Sequence, residues 1–242
     1  MTAPTPNEDA IDAVLRSFLL SILPSGVEVI GGQDNRVSEP AAIDFVMMTP
    51  SRRGRIATNI DTYDDAAFTA SIAGTTMTVS AVALGTIQVG RNLFGAGITA
   101  GTVIASQISG PPGGAGTYGI LPGQTVASET MAAGAMQAMQ ETMVVMQIDV
   151  HGPNSADNAQ VISTLMRDDY AVQFFKALSS TVAPLYADDP KQIPFVNDQQ
   201  QYEDRWVIEA MLQANQTVPV PQQFADVIGP VVLVPVEATY PP

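Results

Sequence analysis

The chain has 242 residues, room for one large domain or two small ones, with 46% hydrophobic and 14% charged residues, a composition for packed cores. Ten basic residues against twenty-four acidic ones leave a net charge of −14, which argues against gripping nucleic acid by phosphate neutralisation or docking on anionic lipid. Without cysteine there are no disulfides or thiolate zinc sites, and a single histidine, His151, leaves triads and multi-histidine metal sites almost no material.

The first residues, MTAPTPNEDA, lack the basic and apolar regions of a signal peptide, and no apolar run approaches the roughly 18–20 residues of a membrane span. The expectation is a soluble intracellular product, so the sequon at Asn215 carries no glycan. Ile11, Val14, Leu15, Phe18, Leu19 and Ile22 recur at helical spacing, and Pro24 ends that helix. Val27 to Ile30 and Ile43 to Met48 read as strands, and Arg55 to Tyr63 as a third alternating segment. Arg52, Arg53 and Arg55 crowd what reads as a short loop between two strands.

The texture then changes. From Ala66 to Met131 there is one basic residue, Arg91, and one acidic residue, Glu129, yet the segment holds 12 of the 19 glycines. Short runs rich in Thr, Val and Ile, such as Phe68 to Ile72 and Thr76 to Val79, alternate between glycine turns, the pattern of a small all-β unit. The segment reads as a β domain (66–131) inserted into a discontinuous domain made of 1–65 and 132–242. Beyond it, Met143 to Val150 has β character. Asn154 or Ser155 is a plausible N-cap for a long helix carrying Val161, Ile162, Leu165, Val172 and Phe175. Arg205 to Leu212 and Val231 to Val236 read as strands, with a short helical turn over Gln222 to Ile228. Strands in runs with helices near each end imply an α+β domain: an antiparallel sheet with helices mainly on one face.

Little here carries chemistry. Gly114 to Gly119 satisfies G-x-G-x-x-G, but a Pro-Gly turn precedes it and β-rich sequence follows, so it is a glycine-rich hairpin and not a dinucleotide loop. Asp149 and His151 face the same side of a strand end, either half of an acid–base or metal site or a structural pair beside the Gly152-Pro153 turn. Asp168-Asp169 and Asp188-Asp189 lack the further oxygen ligands of a calcium loop. The methionines from Met131 to Met146 read as core packing. No catalytic set, cofactor site or metal site is expected. The arginine cluster is either a solvated turn or a patch complementary to another copy of the chain, with Asp188 and Asp189 as its partners.

Several segments together carry a resemblance: Gln33 to Arg36 followed by Pro40, then DFVMMTP (44–50), RRGRIATNIDTY (52–63) and QIDVHGP (147–153). RDDYAVQFF (167–175), PLYADDPKQIPF (184–195), QQYEDRW (200–206) and VPVPQQFA (218–225) complete the series. In this order they resemble the neck or tail-terminator proteins of tailed bacteriophages, especially those with contractile tails. The insert separately resembles a small β module of phage structural proteins; typical members run directly from the NIDTY strand into the QIDVHGP strand.

The resemblance implies a non-enzymatic virion protein assembled in the host cytoplasm. It would form a homo-oligomeric, hexameric ring at the head-proximal end of the tail. There it would cap the tail tube, contact tube or sheath proteins, join the head–tail connector and let DNA pass without specific binding. A sheath-side or baseplate component, or a binding module displaying the β insert, are the alternatives.

Overall fold

The structure, a computed structural model, describes residues 3–32, 40, 42–196 and 202–222. In chain order the elements are helix α1 (Glu8–Ile22) and strands β1 (Glu28–Gly31), β2 (Phe45–Arg55), β3 (Ile60–Leu84), β4 (Leu93–Gly95), β5 (Val103–Ser109) and β6 (Gly116–His151). Helices α2 (Ser155–Met166) and α3 (Asp169–Leu178) follow, then strands β7 (Val182–Ala187), β8 (Lys191–Gln192), β9 (Phe195–Val196), β10 (Tyr202–Glu203) and β11 (Arg205–Pro221). The fold is mixed α/β, mostly strand, with a large sheet. The chain divides into two compact units, Met1–Asp61 with Ala138–Pro219, and Thr62–Gln137 with Val220–Pro242.

In the first unit, α1 starts where the Asn7 side chain accepts a hydrogen bond from the Ala10 N–H at 3.1 Å, and Glu8 and Asp9 complement the positive end of the helix dipole. Its apolar stripe buries Ile11, Leu15, Phe18 and Leu19. The long helix expected after Asn154 is instead two helices. The Asp168 carboxylate accepts from the Tyr170 N–H at 2.9 Å, so the local cap ends one helix and starts another. Ile162 and Phe175 are buried, whereas Val161 and Val172 are exposed, because the break turns the apolar stripe. Asn154 makes no side-chain cap; its backbone and side-chain N–H groups donate to Asp44 at 2.9 and 2.7 Å.

The strands of this unit run in the order β1-β2-β6-β11-β7. β2 pairs antiparallel with the end of β6, from Phe45 opposite His151 to Arg55 opposite Thr142, with a register shift between Pro50 and Arg52. β11 and β7 are also antiparallel. β1 and β2 are parallel, Glu28 opposite Phe45, so the sheet is mixed and not purely antiparallel as expected. Apolar alternation is the same for both directions, which is why the pattern alone missed this. Val46 and Met48 of β2, Val144, Met146, Ile148 and Val150 of β6, and Ile208, Ala210 and Leu212 of β11 share one core with Ile11, Leu15 and Phe18 of α1.

One strand expectation changes. Arg55 to Tyr63 is not continuous, since β2 ends at Arg55 and β3 begins at Ile60. Met143 to Val150 is strand, as its pattern predicts, and forms the end of the longer β6. The Gln33 to Arg36 motif, the Val231 to Val236 strand and the turn beyond Gln222 lie outside the described residues.

The second unit has its own core, built from Phe68, Ile72, Met77, Val79, Ile104, Tyr118 and Ile120 among others. Within β3 the chain reverses: Ser80 Oγ donates to Thr69 O at 3.2 Å, although eleven extended residues would span about 36 Å. The turn is at Gly74, whose φ is +63°.

The loop after β5 is tied down by side chains. Gln107 Nε2 donates to Pro111 O at 2.7 Å, Gln107 Oε1 accepts from the Gly113 N–H at 3.0 Å, and the Tyr118 hydroxyl donates to Gly114 O at 2.6 Å. Burial pushes the Tyr118 pKa up, keeping that donor protonated. Gly110 sits at φ +94°, and a Cβ there would lie 2.2 Å from Ala115 O. Gly110→Ala is therefore expected to lower stability by about 1–3 kcal/mol, read by thermal unfolding in circular dichroism. An unchanged melt would show that the loop tolerates another geometry.

Candidate functional site

The three arginines do not occupy a loop. They lie on β2, where Arg52 stands opposite Val145, Arg53 opposite Val144 and Arg55 opposite Thr142. Strand alternation therefore sends Arg52 to one face and Arg53 with Arg55 to the other. Arg53 is engaged within the chain. Its guanidinium pairs with the Glu8 carboxylate and donates to Gln216 Oε1 at 2.8 Å, while Gln216 Nε2 donates to Pro6 O at 2.9 Å. This network fastens the start of α1 to β11, beside reciprocal backbone bonds between Thr5 and Thr217. With the Gln140 amide turned to satisfy both its ends, its oxygen accepts from Arg55 Nε at 2.5 Å and Nη2 at 3.1 Å. Arg52 is exposed and makes no hydrogen bond or ion pair among the described residues.

Asp188 and Asp189 follow β7, at the opposite end of the strand order from β1 and β2. Asp188 accepts from Lys191 Nζ at 2.8 Å and from the Glu209 N–H at 2.6 Å. Its hydrogen bond and charge raise the Lys191 pKa, holding the ammonium charged. Asp189 is 86% exposed and takes a 2.9 Å bond from Arg167, whose guanidinium also lies over the Tyr186 ring at 4.8 Å. Arginines and aspartates expected to meet are thus not brought together within one chain, and all but Arg52 have local partners. Beside β7, a cleft of about 530 Å³ is lined by Val172, Lys176, Thr181, Val182 and Ala183 with Gln213 and Asn215.

Asp149 and His151 lie on the side of β6 away from Ile148 and Val150. Asp149 is 1% exposed and accepts from Arg205 Nε at 3.0 Å, Arg205 Nη2 at 2.6 Å and Gln147 Nε2 at 3.0 and 2.9 Å. His151 stacks on Phe45, with ring centroids 4.5 Å apart, and its Nδ1 stands 3.0 Å from Glu203 Oε1. Each member of the expected pair has its own partner, a guanidinium for Asp149 and a carboxylate for His151. Gly152 permits the turn that follows: its φ is +100°, and a Cβ would meet Ile43 O at 2.4 Å. Sequence reasoning misses Arg205 and Glu203 as partners because they lie more than fifty residues away in the chain. Among the described residues, no group of three His, Asp or Glu side chains is placed to hold a metal ion. No described helix is long and apolar enough to cross a membrane.

The family model described as phage neck terminator protein matches residues 85–235, more than half of the chain. The chain belongs to the phage neck terminator family. It is therefore a virion structural protein of a bacteriophage. The match takes in QIDVHGP, RDDYAVQFF, PLYADDPKQIPF and QQYEDRW, and with them the Asp149, His151, Asp188 and Asp189 sites. It begins inside the glycine-rich segment, so DFVMMTP and the arginine segment of this neck terminator precede it. No curated protein matches the chain in sequence.

Proposed function

We propose that this neck terminator forms a hexameric ring at the head-proximal end of a contractile phage tail. The ring closes the tail tube, touches tube or sheath proteins, meets the head–tail connector and leaves a channel for DNA. The family match carries this reading. Three features support it. The net charge of −14 suits a lumen wall that repels phosphate. Core residues of β2, β6 and β11 share one parity, consistent with helices on one face of the sheet. The separate core of the second unit is consistent with a β module (66–131) set into a core domain of 1–65 and 132–242, the insertion lying in a connection where added length costs little. Assembly takes place in the host cytoplasm, and the candidate contact between copies joins the β2 arginines to the acids beyond β7.

Negative-stain electron microscopy of the concentrated protein, with gold labelling of intact virions, tests the reading. Closed six-fold rings in solution and label at the neck are the expected result. Long filaments, or label confined to the baseplate, would overturn it.

A further inference from the structure

Resting on the ring reading, we infer that neighbouring copies meet head to tail: the β2 edge of one copy packs against the β7 edge of the next, centred on Arg52 and Glu209. Among the described cations, only Arg52 and Lys176 make no hydrogen bond or ion pair. Arg52 lies beyond the stretch of β2 that pairs with β1, so among the described residues that part of β2 has no strand on its outer side. Around β7, Lys191 pairs with Asp188 and Arg167 with Asp189, whereas the exposed Glu209 side chain makes no hydrogen bond or ion pair and meets Lys191 only through its charge. Glu209 lies between the core residues Ile208 and Ala210 and so projects away from the core, as Arg52 does opposite Val145.

The order of features along the two edges also matches. The Gly152 N–H donates to Asp204 O at 3.1 Å, so the end of β6 lies beside the start of β11 and the two run in opposite directions. With the antiparallel β2–β6 and β7–β11 pairings, β2 and β7 are antiparallel to each other. Moving from Arg52 toward the exposed Ile56, Ile60 and Asp61 on one edge therefore corresponds to moving from Asp188 back toward Val182 and the 530 Å³ cleft on the other. In two copies placed edge to edge in one orientation, Arg52 comes level with Glu209, and Ile56 comes level with the cleft.

Pro50 in β2 and Pro184 in β7 lack the N–H that strand addition needs, so side chains make this contact. One chain carries both edges at opposite ends of its sheet, which makes the contact heterologous and able to close a ring.

Because the chain has no cysteine, engineered disulfides report this contact directly. Full-length protein carrying I56C and A183C, oxidised in solution and in intact virions, is expected to give a non-reducing ladder that ends at the closed ring. Neither single variant should cross-link. Adding R52E should reduce the ladder by about tenfold, and R52E with E209R should restore it. Dimers from I56C alone, or no ladder in virions whose necks still bind the gold label, would overturn the contact and leave the ring reading intact. Virions without label at the neck would overturn both.

Discussion

Replacing Arg205 by methionine lowers the stability of the first unit by about 3–5 kcal/mol, the largest single effect expected outside the apolar core. The reason is the environment of Asp149, which is 1% exposed and takes two of its four hydrogen bonds from that guanidinium. Without Arg205 the carboxylate keeps only the Gln147 amide and must stay buried as an uncompensated charge, take up a proton or drag water into the sheet. The pair itself need not be stabilising relative to an apolar core, because desolvating two ions offsets much of their attraction. A second variant separates these ideas: Asp149→Leu combined with Arg205→Met is expected to recover most of the loss. Trp206 is the sole tryptophan and packs against the core of this unit, so urea unfolding followed by its fluorescence reads the effect. A change below about 1 kcal/mol in the Arg205→Met protein would show that the carboxylate finds another partner.

Phe18→Ala is expected to cost about 3–5 kcal/mol on the same fluorescence readout. The ring is fully buried and is met by Phe175 at 5.4 Å, Phe174 at 5.6 Å and Tyr170 at 6.4 Å between centroids, all from α3. Truncation removes both the transfer energy of the ring and the tilted and edge-on contacts, and it leaves a cavity between α1 and α3 that rigid helices fill only in part. Phe18→Leu keeps more of the volume and should cost clearly less. Equal losses for leucine and alanine would mean that the aromatic contacts, and not the filled space, hold the two helices together.

The two sites differ in how they arise. Phe18 belongs to a stripe at helical spacing, so its burial is encoded locally and is legible in the order of residues 11–22 alone. Asp149 reads in the sequence only as an acid near a strand end. That it is buried, and that a base fifty-six residues later neutralises it, depends on β6 and β11 lying side by side. No local signal in the QYEDRW segment distinguishes Arg205 from a solvated arginine.

By itself the sequence determined what short-range physics encodes: the first helix and its proline stop, the alternating strands, and the neutral glycine-rich segment. The motif order also sufficed to suggest the phage neck family. Tertiary structure alone decided the parallel pairing of β1 with β2 and the removal of the arginines from a loop to a strand. Each depends on pairing between distant segments, and hydrophobic alternation does not specify which strands pair or in which direction. The same holds for the arginines. Their clustering in sequence suggested one basic patch, but a period of two divides it between faces, and Glu8 and Gln216 claim Arg53 from either end of the chain. Only Arg52 is left exposed and without a partner, and only the strand order places it at the opposite edge from Glu209.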